Sequence, residues 1–415
     1  MTKMLKSVKL KTLGLVLISI ILVSCFHERN APEQAEHDPA NCLPETVIDI
    51  PDKNEFYPRL ISYFGKALGD PITCGDMQSL SAFSGMSGGT IDLTGIEYAT
   101  NLTSLGFANV HVKSLAPLKE LKQLKSLVLS VDAIPLPGGF DCDKGFGRSV
   151  DALDTLLTLP QLESLTLQDS SIQDLSFLKN LSQLKSLNLR CNMISNLAPL
   201  EKLTQLEFLV LGGNGITNLD ALAELESLSY LSLERNCPKT LEPLTGLVNL
   251  RELSISGDRG SANAPSYCPL SDFLPLSKLE KLESLSIINT NFDDLSLLSS
   301  FPNLKGFGLS HNNISNLSPL ADVLVNRSMN TESPPLWLNF TGNNIKDIKG
   351  FAASVPTFEP GFYELDLWLN CFETDPSAVD LLRSKGIKVT IDEQKPECSM
   401  RVYLPRGVAP IFYWP

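Results

Sequence analysis

The sequence predicts an α/β solenoid. In this reading, short repeated strands stack into one parallel sheet on the concave side of a curved right-handed coil. Irregular or 3₁₀ segments return the chain along the convex side. Three observations carry the prediction. A Leu-x-x-Leu-x-Leu pattern recurs along most of the chain, with a start-to-start step of 22 residues broken only by steps of 38 and 32. After the apolar pair comes x-x-Asn-x-Ile, clear at Asn192-Ile194, Asn214-Ile216, Asn312-Ile314 and Asn343-Ile345 and partial at Asn236 and Asn370. A Leu-x-Pro-Leu-x-x-Leu segment then closes the turn, as at Leu197 to Leu203. A chain of 415 residues would ordinarily suggest two or three domains, but repeats of this length override that estimate. Net charge is −13, and removing residues 1–24, which hold four lysines and no acid, leaves −17. So acidic a chain lacks the surplus Lys and Arg that phosphate binding needs, so nucleic acid is not expected as a partner.

The elements follow in chain order. Lys3, Lys6, Lys9 and Lys11 precede an apolar run from Leu13 to Val23, which has the length of a signal-peptide core and is too short to span a bilayer. The run ends Leu22-Val23-Ser24-Cys25 and so resembles a bacterial lipoprotein signal. The resemblance implies cleavage after residue 24 and a covalent lipid on Cys25, with no other cofactor. Several acyl chains on one residue hold a protein at a membrane far better than one chain does. Phe26 in place of Asp implies sorting to the outer membrane of a Gram-negative cell. Residues 25–44 are polar and read as a lipidated tether.

Residues 45–90 read as an N-terminal cap, since a solenoid must seal its ends. Phe56, Leu60, Ile61, Phe64 and Leu68 fall on one helical face, with Pro58 near the start and Gly69 at the expected stop. The repeats then run over 91–373, with insertions at about 135–150 and 257–271. Clear copies start at Leu102, Leu124, Leu162, Leu184, Leu206, Leu228, Leu250, Leu282 and Leu304, and two degenerate units are marked by Leu338-Phe340 and Leu365-Leu367. This is the leucine-rich repeat pattern. Alternating apolar residues put one strand face inward. The Asn amide can satisfy backbone groups of neighbouring turns inside the coil, and Pro turns the chain away from the ladder. Asp375-Pro376 opens a predicted C-terminal capping helix that closes at Gly386, followed by a strand at Ile387-x-Val389-x-Ile391, within a cap over 374–398. Residues 399–415 form an aromatic, Pro-rich tail.

The segment Leu93-Thr94-Gly95-Ile96-Glu97-Tyr98-Ala99-Thr100-Asn101-Leu102-Thr103-Ser104-Leu105, with its 22-residue step, resembles the internalin-type repeats of bacterial surface proteins over roughly residues 45 to 395. The resemblance implies a helical cap at the front and recognition of a protein through the concave face.

Eight cysteines follow Cys25, an even number that reads as disulfides in an exported chain. Cys42 and Cys74 flank the front helix, and Cys371 and Cys398 flank the back cap. Cys142 and Cys268 sit in the two insertions, and Cys191 and Cys237 sit beside the repeat Asn at the matching rim, so Cys142–Cys191 and Cys237–Cys268 are the expected pairs. No CxxC spacing occurs, and Asp141-Cys142-Asp143-Lys144-Gly145 departs from a calcium loop by an early Gly and by Ala152 where the bidentate Glu should stand, so no metal is predicted.

No nucleophile, base and orienting group share a neighbourhood, and an enzyme is not predicted. Recognition is. The strand positions between the inward leucines are mostly small and polar, and the exceptions cluster twice: Arg190, Phe208, Val210, Tyr230, Glu234 and Glu252, and then Trp337, Asp366 and Trp368. Aromatic residues with Arg are the usual anchors of protein interfaces. The expected function is a membrane-anchored module that binds an envelope or host protein through these residues. The alternatives are a structural envelope lipoprotein without a specific ligand and a carbohydrate-binding surface protein.

Overall fold

A computed structural model describes residues 39–86, 89–130, 142, 149–257, 270–328, 336–360, 363–371 and 376–391. The expected signal at 1–24, residues 25–38 of the expected tether and the tail at 399–415 lie outside these, as do Cys25, Cys268 and Cys398. By its contacts the chain divides into two units, residues 1–42 and 43–415. The described part of the first is a single 3₁₀ turn, Pro39–Asn41, and the buried Cys42.

The second unit is a leucine-rich repeat solenoid. Its strands are β1 Val47–Ile48, β2 Ile72–Thr73, β3 Ala82–Met86, β4 Thr90–Ile91, β5 Ser104–Ala108, β6 His111–Val112, β7 Ser126–Ser130, β8 Ser164–Leu167 and β9 Ser186–Asn188. They continue with β10 Phe208–Val210, β11 Tyr230–Leu233, β12 Glu252–Ser256, β13 Ser284–Ile288, β14 Gly306–Gly308, β15 Leu336–Asn339, β16 Tyr363–Asp366 and β17 Ile387–Thr390. Among the described residues, β3, β5 and β7 to β17 form one sheet of 13 strands in sequence order, every pair parallel.

The register shows why the leucines repeat. Leu187, Leu209, Leu231, Leu253, Leu285, Phe307, Leu338, Leu365 and Val389 stand side by side in adjacent strands, all buried. No single turn can bury such a residue, but a neighbour above and below can. The return segments are short 3₁₀ turns in most repeats, with Pro at the start of Ala116–Glu120, Ala198–Leu200, Glu242–Gly246 and Leu274–Lys278. The expectation of 3₁₀ or irregular returns throughout needs correction near the end. There α-helices Ser318–Ser328 and Lys349–Ser354 take their place: the extra residues of the steps into β15 and β16 follow the start of the return segment, whereas those of the two longer steps precede the 3₁₀ returns Leu153–Thr158 and Leu274–Lys278.

The repeat Asn acts as a bridge. Asn214 Nδ2 donates to Leu189 O at 3.1 Å and Leu211 O at 2.8 Å, in two successive turns, while its Oδ1 accepts from Ile194 N at 3.0 Å. Asn192, Asn236, Asn312, Asn343 and Asn370 repeat this arrangement. Just beyond β8 to β11 and β13 to β16 a second device appears. Asp169, Cys191, Gly213, Arg235, Asn289, His311, Gly342 and Leu369 have left-handed backbones, with φ between 53° and 74°. This twist turns each N–H toward the next turn: Cys191 N donates to Gly212 O, Gly213 N to Glu234 O and His311 N to Thr341 O.

At the front, α1 Phe56–Tyr63 buries Phe56, Leu60 and Ile61 as expected. It stops six residues before Gly69. Gly65, at φ 64°, makes the exit, with Lys66 N donating to Ile61 O and Gly65 N to Ser62 O, the Schellman arrangement that Gly favours. Leu68 therefore lies outside the helix and is 77% exposed. The following α2, Cys74–Gln78, is closed by a capping box between Thr73 and Asp76. At the back, α3 Ser318–Ser328 and α4 Lys349–Ser354 precede α5 Pro376–Ser384, and Gly386 at φ 88° turns the chain into β17. Cys142 and Cys191 form a disulfide that spans 49 residues, and Cys42, Cys74 and Cys237 are also disulfide-bonded.

Two outcomes are expected. Asn214→Ala leaves the buried Ile194 N–H without its acceptor and removes one of two amide donors at Leu189 O and Leu211 O, which keep Asn192 and Asn236, so it should cost about 1–3 kcal/mol in urea unfolding, against about 1 kcal/mol or less for Asn196→Ala, whose side chain only caps the exposed Ala198 N–H. In the cap, burial works to raise the Asp76 carboxyl, but hydrogen bonds from Lys66 and Thr73 outweigh it and hold the group below its ordinary range. A carboxyl lowered by folding lends stability above its unfolded pKa, and that stability is lost as pH falls through the lowered value. Protection of the Thr73 and Asp76 amides, measured against their intrinsic exchange rates, should therefore fall in acid in the native protein, and Asp76→Asn should flatten that acid response.

Candidate functional site

The sheet's solvent face is made of the residues between the inward leucines. Over β5, β7, β8 and β9 its first row is Ser104, Ser126, Ser164 and Ser186. The next three strands change character. Phe208, Tyr230 and Glu252 lead β10, β11 and β12 and stand in register. Equivalent positions on parallel strands lie about 4.8 Å apart, which lets flat rings stack. The Phe208 and Tyr230 rings do so, with centroids 4.2 Å apart and planes 17° from parallel. Phe208 is 37% exposed, although most large apolar side chains of the solenoid are buried. Glu252 is exposed at the end of the row.

In the third row Arg190 and Glu234 sit two turns apart, with Gly212 between them. Because Gly212 has no side chain, the two long side chains meet above it, Nη2 to Oε2 3.6 Å. Ser254 Oγ donates to the other Glu234 oxygen at 2.9 Å. Burial pulls the Arg190 guanidinium down from its ordinary pKa, and Glu234 offsets part of that pull. Burial also raises the Tyr230 hydroxyl, and the charges of Glu234 and Glu252 raise it further. The phenol therefore stays protonated, a hydrogen-bond donor in a locally negative field.

The structure brings Arg190, Phe208, Tyr230, Glu234 and Glu252 into one patch, and it revises two other expectations. Val210, in the middle row between Asn188 and Ser232, is only 7% exposed, because the aromatic row and the Arg190–Glu234 pair flank it on both sides. It belongs to the packing under the patch. Asp366 is half-buried, and its Oδ1 accepts the Trp368 N–H at 3.0 Å, a strand-end turn that Asn188 and Asn339 also make with Arg190 and Thr341. Trp337 and Asp366 already have partners within the protein. Trp337 and Trp368 are half-buried and make no ring contact with each other among the described residues, and β12, β13 and β14 separate them from the aromatic pair. Two contributors escaped the sequence reading. Gly212 acts through the side chain it lacks, and Ser254 is one small residue among many of the same row.

Among the described residues no group of His, Cys, Asp and Glu is placed to hold a metal ion. No described helix is long and apolar enough to cross a membrane. The site's surroundings are stitched by the Cys142–Cys191 disulfide. A Cβ on Gly213 would stand 2.3 Å from Cys142 Sγ.

Comparison with known proteins agrees with this architecture. The model of a leucine-rich repeat region matches residues 140–338. Among solved structures, an internalin from Listeria monocytogenes is 22% identical over 81% of this chain and 93% of its own, with a TM-score of 0.61. Internalin C2 from the same organism is 27% identical over 54% of this chain and 88% of its own, with a TM-score of 0.45. A leucine-rich repeat protein from Leptospira interrogans is 17% identical over 76% and 93%, with a TM-score of 0.46. No curated protein matches the sequence. The fold is a leucine-rich repeat solenoid, and its repeats are internalin-like.

Gly213→Ala should therefore lower stability by about 1–3 kcal/mol, from left-handed backbone strain together with the clash at the disulfide. It should also leave a measurable fraction of Cys142 and Cys191 reactive to a thiol reagent. Gly215→Ala, where the added carbon would lie an ordinary 3.8 Å from Ile194 O, should change neither reading.

Proposed function

We propose that this protein is a lipid-anchored recognition module of the outer membrane of a Gram-negative cell. It binds an envelope or host protein through the strand face centred on Phe208 and Tyr230. The observation that carries the reading is the stacked, partly exposed aromatic pair on a face otherwise built from small residues. A rigid aromatic platform loses little side-chain entropy on binding, and exposed rings are the commonest hot spots of protein interfaces. Arg190, held by Glu234, and the exposed Glu252 border the pair and supply polar contacts at its rim. The anchor rests on the lipobox at Leu22 to Cys25, and the outer-membrane address on Phe26.

Two measurements test the two halves of this reading. A pull-down from envelope extract with residues 26–415 should recover a protein partner. Phe208→Ala should weaken that complex by about 2 kcal/mol, roughly thirty-fold in Kd, with no change in thermal unfolding of the module itself. Recovery unchanged by the Phe208→Ala, Tyr230→Ala double variant would put binding on another surface, and recovery of no partner by the unaltered protein would point to an inert spacer. For the anchor, Cys25→Ser should move the protein from the membrane to the soluble fraction and abolish labelling by a fatty-acid analogue.

A further inference from the structure

We propose that the cleft between α1 and β3, at the N-terminal end of the strand face, is a binding site for a neutral saccharide. The cleft has a volume of about 470 Å³, within the range of small-ligand sites. One wall is a helical stripe. Asn54 and Glu55, Pro58 and Arg59, and Ser62 and Tyr63 recur at four-residue spacing, so all face the same way from α1 and its lead-in. The opposite wall is Ser84, with Phe83 behind it, on the first strand of the large sheet. Ser84 stands in register with Gly106 on the solvent face, so the cleft opens onto that face.

Three features of the lining define the ligand. First, Tyr63 is 53% exposed yet fixed by T-shaped contacts with Phe83 at 5.6 Å and Phe64 at 5.3 Å. An exposed ring held this firmly is a platform for an apolar surface, such as the C–H face of a pyranose. Second, Arg59 Nη2 lies 3.0 Å from Glu55 Oε2, so the two charges cancel. The cleft presents donors and acceptors without net charge, which removes the advantage of an ionic ligand. Third, its polar groups are planar or hydroxylic: an amide, a carboxylate, a guanidinium and two serines. Planar groups bond two neighbouring hydroxyls at once, and each sugar hydroxyl both donates and accepts. Gly85 contributes by omission, since a Cβ there would come within 3.2 Å of Arg59 Nη1. This site is independent of the aromatic patch, from which β5, β7, β8 and β9 separate it.

The test uses residues 26–415 and titration calorimetry with maltohexaose, cellohexaose, chitohexaose and, as a charged control, hexagalacturonate. At least one neutral oligosaccharide should bind saturably. Tyr63→Ala and Ser84→Trp should each weaken it at least ten-fold, while Phe208→Ala leaves it unchanged. Ser84→Trp fills the cleft from an exposed strand position, so it reports on the site even if Tyr63→Ala loosens the cap, and a thermal melt tells the two effects apart. Failure of every neutral oligosaccharide to bind would overturn the proposal. So would binding of the uronate alone, or binding that persists in Ser84→Trp.

Discussion

The structure depends on one constraint: backbone groups buried between stacked turns must find partners that the strands do not supply. In a β-sheet the ladder satisfies them, but here each turn leaves its strand after three to five residues and the chain bends away. The Asn side chain takes over at that bend. It offers two donors and one acceptor where carbonyls of two turns and an amide of the preceding turn converge, as at Asn214 and Asn343. An unpaired buried group costs about 1–3 kcal/mol, so one residue type at one position is decisive in turn after turn. Where the Asn is replaced, the neighbour compensates. Ser170 N and Thr290 N both donate to the Asn of the turn that follows, Asn192 and Asn312.

That constraint explains why so much of the fold is legible in the sequence. The Leu-x-x-Leu-x-Leu rows mark strands because only alternation buries one face, and β8 to β14 appear where the rows stand. Asn236 and Asn370, which look partial because no Ile follows two residues later, make the same bridges as the rest, since the amide and not the Ile does the bridging. The left-handed residue after most strands is less visible. Its occupants range from Gly213 and Asp169 to Cys191, Arg235 and Leu369, so no composition signal announces it. Asn and Asp tolerate the conformation, but Leu369 adopts it because Leu367 N donates to Thr390 O and Asn370 Nδ2 donates to Leu367 O, and together these bonds over-determine the chain around it. Helix ends were misjudged for a related reason: of two glycines, the sequence does not say which one terminates α1.

The candidate site was legible as a cluster but not as a surface. Period alone places Phe208, Val210 and Tyr230 on the solvent side, yet exposure depends on what the neighbouring rows hold. Val210 is covered because large residues flank it, and Phe208 remains open because its row ends in serines on one side. Asp366 looked like a ligand group, but a carboxylate two residues before a backbone N–H is often claimed by its own turn, as it is here. The cleft beside α1 needed the structure, because it joins residues near 58 to residues near 84 across the end of the sheet.

The Cys142–Cys191 linkage has a consequence for mechanics. Coils of this kind hold each turn only to its neighbours, so they can fray from an end like an unzipped seam. Cys142 belongs to the excursion after β7, and Cys191 follows β9, so the bond reaches past the turn of β8. Peeling that starts at the front must halt there until two further turns let go together. Under a pull applied ahead of the front cap the protein would yield in steps of unequal size, and the aromatic patch just beyond the stitch would be shielded from the first of them.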